Sequence, residues 1–199
     1  VIPTLAERLY TLGAVQFGDF TLKDGSHSPV YLDLRLLVSD PAVLAYAAQA
    51  YARLLADLSF DRLAGIPYAG LPIGTAVALA TGKPMIYPRR EVKAYGTGKA
   101  VEGRFVLGET VVVIDDVISS GASKREAIQP LEAAGLVVRD VVVLVDRQGG
   151  GAADLAAAGY RLHTVTTLSD IARELHEQGQ VGVEEARTVL DYLGAGGAQ

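Results

Sequence analysis

Cysteine is absent from the 199-residue chain, which removes disulfide frameworks, thiolate metal sites and cysteine nucleophiles together. Histidine is scarce: His27, His163 and His176 are scattered without zinc spacing, so a metal here would be a hard cation on oxygen ligands. Positive charge is in deficit. With 18 Lys and Arg against 23 Asp and Glu, the net charge is −5 and the pI about 5.2, which argues against a nucleic-acid partner. No apolar run is long enough to span a membrane, and the N-terminus has no signal-peptide shape. No membrane partner is therefore expected, and the cytoplasm is the default compartment. Internal repeats and domain linkers are missing too. The composition, 50% hydrophobic and 21% charged, suits one folded domain over residues 1–199.

The most informative stretch is Val111 to Ser123, VVVIDDVISSGAS. Four apolar β-formers run into Asp115 and Asp116, then into a loop of Ser119, Ser120, Gly121, Ala122 and Ser123; a helical pattern follows from about Lys124. Such an unbroken apolar run reads as a strand buried on both faces, as in a parallel sheet. The two acids then stand at its carboxyl end, where open α/β sheets bind ligands. Small loop residues leave backbone N–H groups accessible, and a helix N-terminus behind them favours an anionic oxygen cluster such as a phosphate. The acids would repel a phosphate that they touched. They suit a ribose diol, whose hydroxyls donate to them, or the neighbourhood of a divalent cation that neutralises phosphate. A solvated turn is the alternative, but paired acids at a buried strand end are costly to place without a use.

Phosphate, diol and Mg²⁺ together describe 5-phosphoribosyl 1-pyrophosphate (PRPP), and IDDVISSGAS resembles the PRPP-binding motif of type I phosphoribosyltransferases. The resemblance implies an α/β fold with a central, mostly parallel sheet flanked by helices. It also implies a small N-terminal hood over about residues 1–36 and a long flexible catalytic loop over about 89–104. Asp115, Asp116, Val117, Ile118 and the loop Ser119, Ser120, Gly121, Ala122, Ser123 would bind PRPP. Mg²⁺ would be the cofactor, held mainly through PRPP and water and not by direct protein ligands.

Before this stretch, Leu5, Leu9 and Leu12 share a helical face that stops at Gly13. Alternating Val15, Phe17, Phe20 and Leu22, a turn over residues 23–26 and an extended run from Pro29 to Leu34 predict a hairpin outside the main sheet. By pattern, Lys23 is a solvated turn residue. The segment FTLKDGSHSPVYLDLR is, however, similar to the amino-terminal signature of orotate phosphoribosyltransferases. That similarity implies that Lys23 reaches the active site and that Tyr31 and Leu32 cover the pyrimidine. Asp40 and Pro41 predict a helix start. Arg62 to Ile66 predicts a short buried strand, and the turn Pro67-Tyr68-Ala69-Gly70-Leu71-Pro72 opens a helix from Ile73. In the family this turn holds pyrophosphate, which implies a PRPP-binding role for Tyr68. Ala69 stands where many bacterial members carry lysine, and the Pro-Tyr-x-x-Leu-Pro form resembles the orotate half of eukaryotic UMP synthases.

After a strand over residues 83–88 comes RREVKAYGTGKAVEGRF, in which Arg89, Arg90, Lys93, Lys99 and Arg104 meet only Glu91 and Glu102. By pattern it is a solvated connection or a lid that closes over a polyanion. GTGK is not a P-loop, because the first glycine that motif requires is missing. The segment resembles the catalytic loop of orotate phosphoribosyltransferases. This implies that Arg89, Arg90, Lys93 and Tyr95 bind PRPP, that Lys93 acts with Asp115 and Asp116 in catalysis, and that a homodimer shares the loop across its interface. Tyr95 takes a place that many bacterial members give to histidine.

Val137 to Val145 predicts a second buried strand, ending in Asp146-Arg147-Gln148-Gly149. Arg147 is either the ion-pair partner of Asp146 or a bidentate clamp for a carboxylate. DRQGGG matches the family segment whose arginine recognises orotate, which implies an orotate site of Lys23, Tyr31, Leu32, Ser119 and Arg147. Ser123 to Glu126 has capping-box spacing, a strand over Arg161 to Val165 precedes a helix capped at Thr167, and a last helix follows Gly182. The resemblance spans about residues 15–175. It implies the reaction orotate + PRPP → orotidine 5′-monophosphate + pyrophosphate, in pyrimidine biosynthesis. A transferase for another base is the first rival, and the hood segment and Arg147 both speak against it. A PRPP-sensing regulator that binds nucleic acid is the second, and it lacks a basic face.

Overall fold

The computed structural model describes residues 3–22, 25–90 and 99–196; Lys23, Lys93 and Tyr95 lie outside the described residues. Helix α1 (Leu5–Thr11) begins at a capping box between Thr4 and Glu7 and stops before Gly13, whose φ of +77° favours a residue without Cβ. Strands β1 (Val15–Thr21) and β2 (His27–Leu32) pair antiparallel in a separate two-stranded sheet, the predicted hairpin. A 3₁₀ turn over Leu34–Ser39 leads into α2 (Pro41–Leu55). Asp40 caps α2, its carboxylate accepting from the N–H groups of Ala42 and Val43 at 2.9 and 3.0 Å.

The main sheet is built from β3 (Arg62–Gly65), β4 (Met85–Pro88), β5 (Val101–Glu102), β6 (Thr110–Ile118), β7 (Val137–Asp146) and β8 (Arg161–Thr167). Its order is β5-β4-β3-β6-β7-β8, with β5 antiparallel and the others parallel. The crossovers are α3 (Gly70–Thr81), α4 (Ala122–Ala133) and α5 (Gly151–Ala157), while α6 (Leu168–Glu177) and α7 (Val183–Gly194) close the chain. The apolar run on β6 is buried on both faces, as its composition requires. Val112 and Ile114 join a core with Tyr51, Ile73 and Leu168, while Val111 and Val113 join another with Ile128, Leu131 and Leu155.

Several expectations are corrected. β6 continues through Asp115 and Asp116 to Ile118, so the acids lie inside the strand and not beyond its end; β7 is long enough to keep pairing with it. The Ser123–Glu126 capping box is not formed, because α4 already begins at Ala122 and Ser123 is within its first turn. α3 starts at Gly70 and not at Ile73, since Pro72 in the first turn lacks only an N–H that would have no helical partner there. The basic segment is not a loop throughout: Val101 and Glu102 pair with Pro88 and Tyr87, and Glu102 forms an ion pair with Arg89. α5 has no counterpart in the sequence reading, because a seven-residue, alanine-rich helix carries too little periodicity to be seen.

Near the start of β6, the Arg62 guanidinium grips the Glu109 carboxylate with two nitrogens, and the Val106 N–H donates to the same group at 2.8 Å. The guanidinium first, and then the amide, draw the Glu109 carboxyl from 4.5 down to about 2. The folded pKa lies below the unfolded one, so this contribution is complete above the unfolded value and disappears as pH falls toward the folded one. The difference in Tm between wild type and Glu109→Gln is therefore expected to close as pH is lowered from about 6 to about 2.5. A difference independent of pH would rule this linkage out.

Candidate active site

The site arises from unequal strand lengths. β3 ends at Gly65 opposite Ile114, whereas the pairing of β6 with β7 continues to Ile118 opposite Asp146. From Asp115 onward, β6 no longer has β3 beside it, and the chain leaving β3 crosses that edge through Pro67, Tyr68 and Ala69 before entering α3. The crossing is tight. A Cβ on Gly70 would stand 2.6 Å from the Ile114 carbonyl oxygen and 3.2 Å from Asp115 Oδ1, and a Cβ on Gly65 would stand 2.6 Å from the Gly70 carbonyl oxygen. Glycine at both positions lets the two backbones meet.

A cavity of about 470 Å³ opens at this junction. Tyr68, Arg89, Arg90, Asp115, Asp116 and Ser123, all expected from the sequence to bind PRPP, line it together. Arg35 and Glu126 line it as well. Three guanidinium groups and three carboxylates thus share one cleft at the carboxyl side of a parallel sheet, where ligands bind in open α/β folds. The Arg90 guanidinium lies over the Tyr68 ring, 5.2 Å from its centroid, at the open mouth of the cleft. Arg35 was not identified in the sequence. Its guanidinium is gripped by both Asp33 carboxylate oxygens at 2.6 and 3.0 Å, a pairing that raises its pKa, and the DLR spacing was its sole trace.

The two acids have different surroundings. Asp115 is buried and forms an ion pair with Lys124, and the Tyr51 hydroxyl donates to the Asp115 carbonyl oxygen at 2.6 Å. Burial, followed by the charges of Asp116 and Asp115, holds the Tyr51 hydroxyl well above its ordinary pKa, so it stays a donor. Asp116 Oδ1 accepts from the Val117 N–H at 2.8 Å. Burial and the neighbouring Asp115 charge push the Asp116 carboxyl above the usual carboxylate range, with Lys124 opposing.

The predicted phosphate loop is tied to the strand end that carries Arg147. The Arg147 N–H donates to the Ile118 carbonyl at 2.8 Å, and the Gly151 N–H donates to the Ser119 carbonyl at 2.9 Å. Val117 and Ile118 turn their side chains to the two cores, leaving only backbone to the site. Helix geometry leaves the amides at the start of α4, Ala122 and Ser123, without intrahelical acceptors. The Gly121 N–H is taken by Asp154 Oδ2 at 3.1 Å. Asp146 is not the partner of Arg147: its Oδ1 accepts from the Gln148 N–H at 2.7 Å. Arg147 Nε is buried and has no hydrogen-bond partner among the described residues.

Of the hood, Arg35 lines the cavity, whereas Tyr31 and Leu32 do not. Tyr31 is exposed and lies against Phe20, with ring centroids 5.6 Å apart, whereas Leu32 packs against the core. Adjacent strand residues face opposite ways, so the pair does not present both side chains on one surface. Among the described residues no three His, Asp or Glu side chains converge as a metal cage. The carboxylates that line the cleft, Asp115, Asp116 and Glu126, are oxygen donors of the kind a hard divalent cation takes. No helix among the described residues is long and apolar enough to cross a membrane.

No protein-family model matches the chain. It is 44% identical over 178 residues to the bifunctional enzyme PyrF/PyrE of Nostoc sp., covering 89% of this chain and 37% of that protein. It is 38% identical over 190 residues to the orotate phosphoribosyltransferase of Pyrobaculum aerophilum, covering 95% of this chain and 97% of that protein. Among solved structures, the Leishmania donovani UMP synthase superposes with a TM-score of 0.88 at 42% identity, over 96% of this chain and 42% of that one. The chain thus spans less than half the length of the Nostoc and Leishmania proteins but nearly all of the Pyrobaculum one. With this agreement in sequence and in fold, the chain belongs to the orotate phosphoribosyltransferase family.

Proposed function

We propose that this chain transfers the 5-phosphoribosyl group of PRPP to orotate, giving orotidine 5′-monophosphate and pyrophosphate in pyrimidine biosynthesis. The bond from ribose C1 to the pyrophosphate oxygen breaks, its electron pair leaving with pyrophosphate, and orotate N1 forms the new bond to C1 as its proton is released to pyrophosphate or water. No protein nucleophile is needed, so the residues act by positioning and charge stabilisation. Asp115 and Asp116 accept from the ribose diol, and the amides around Ser119 to Ser123 receive the 5′-phosphate. Tyr68, Arg89 and Arg90 line the cleft that takes the pyrophosphate. Lys93 and Tyr95 complete that group, and Lys23, Tyr31, Ser119 and Arg147 receive orotate, with Leu32 anchoring the Tyr31 strand in the core. Mg²⁺ brought in with PRPP would supply neutralising charge at the leaving group, while Arg89, Arg90 and the loop amides hold the phosphates. A cytoplasmic homodimer sharing residues 89–104 between subunits is the working assembly.

The observation that carries this reading is the junction between two strand ends. It holds the buried, unpartnered Arg147 guanidinium nitrogen beside a phosphate loop, as a carboxylate-bearing base requires. The test is loss of orotate absorbance on mixing the protein with orotate, PRPP and Mg²⁺, with adenine, hypoxanthine and uracil in parallel. Turnover of orotate alone is expected. Turnover of a purine, or of no base at all, would refute the assignment.

A further inference from the structure

Lys124 is the one cation buried among the described residues, and the phosphoribosyl transfer itself does not use it. It sits in the first turn of α4, where the positive end of the helix dipole disfavours a cation, and burial strips its hydration as well. Apolar groups in place of both Lys124 and Asp115 would fill the same space at lower cost, so stability does not account for the buried pair. Its ammonium instead meets Asp115 Oδ2, and both side chains are less than a tenth exposed. Among the described residues Asp115 has no other cation beside it: Tyr51 donates to its backbone carbonyl oxygen, Gly70 crosses close to Ile114 and to Oδ1, and its side chain otherwise meets the carboxyl of Asp116. Lys124 is therefore what holds the carboxylate itself.

We propose that Lys124 is a positioning residue, which clamps the Asp115 carboxylate at the edge of β6 and so presents the two acids to a ribose diol. The proposal rests on the reading of this cleft as a PRPP site. It differs from a phosphate-binding role in that the ammonium works through Asp115 and not on the anion. The substrate part that depends on it is the ribose, and the pyrophosphate part is not.

The test is calorimetric binding of PRPP and, separately, of inorganic pyrophosphate, each with Mg²⁺, to the whole chain. Lys124→Met is expected to weaken PRPP by roughly tenfold or more while pyrophosphate stays within about twofold, and Lys124→Arg is expected to recover most of the loss. Where Lys124→Met does not fold, Lys124→Gln, which retains a hydrogen bond to Asp115, carries the same comparison. Equal weakening of both ligands would make Lys124 a phosphate ligand and overturn the proposal. Unchanged PRPP affinity in the variant would overturn it while the functional reading stands. A wild-type chain that binds no PRPP would overturn both.

Discussion

Arg147→Ala is expected to lower kcat/KM for orotate by roughly 10²- to 10³-fold without lowering Tm. Two charge-assisted hydrogen bonds to a carboxylate are worth about 1.5–3 kcal/mol each, and the alanine variant forfeits both. The absence of a stability cost follows from the same geometry. Arg147 Nε is a buried donor without a partner among the described residues, so in the free protein that nitrogen bears a desolvation penalty. Removing it relieves that penalty, and Tm should hold or rise. PRPP affinity should stay within about twofold, because the 5′-phosphate loop is held by backbone bonds that the substitution keeps. Steady-state kinetics with orotate, calorimetry with PRPP and thermal unfolding separate the three effects. A fall in Tm with orotate kinetics unchanged would make Arg147 structural and leave the base site without its carboxylate clamp.

The second large effect is expected at a position with no side chain. Gly70→Ala would ordinarily favour the start of α3, by up to about 1 kcal/mol. Here the new Cβ would stand 2.6 Å from the Ile114 carbonyl oxygen and 3.2 Å from Asp115 Oδ1. The nearest of these atoms is backbone in the middle of the sheet, so it cannot swing aside. Overpacking of this kind typically costs about 1–3 kcal/mol, which outweighs the helix gain. The strain is relieved by moving the β3–α3 turn away from β6, and displacements of about 1 Å at a site can cost 10²-fold in rate. The variant should therefore have a lower Tm and a PRPP affinity weakened by roughly tenfold or more. Wild-type Tm and affinity together would show that the junction tolerates the extra atom and that its closeness does not matter to the site.

What the sequence determined by itself is local. Hydrophobic runs marked β6 and β7, and the Asp40 and Thr167 caps marked the starts of α2 and α6. Each signal lies within a few residues, where propensity, periodicity and turn chemistry act. The family resemblance pointed to Tyr68, Arg89, Arg90, Asp115, Asp116 and Ser123, which line one cleft. What only the tertiary structure decided is which groups meet across the chain. Tyr51 reaches the carbonyl of Asp115 from another element, and Arg35 reaches the cleft from a 3₁₀ turn that no pattern announced. Lys124 sits in a run, Ser-Lys-Arg-Glu, that reads as solvated helix surface, yet α4 lies so close over β6 that its third residue is buried against an acid. The length of β6 was set by β7, and the opening beside Asp115 by the earlier end of β3. Strand lengths and partners are fixed by pairing between segments far apart in sequence, and burial by what packs on top, so neither is written in any local stretch of residues.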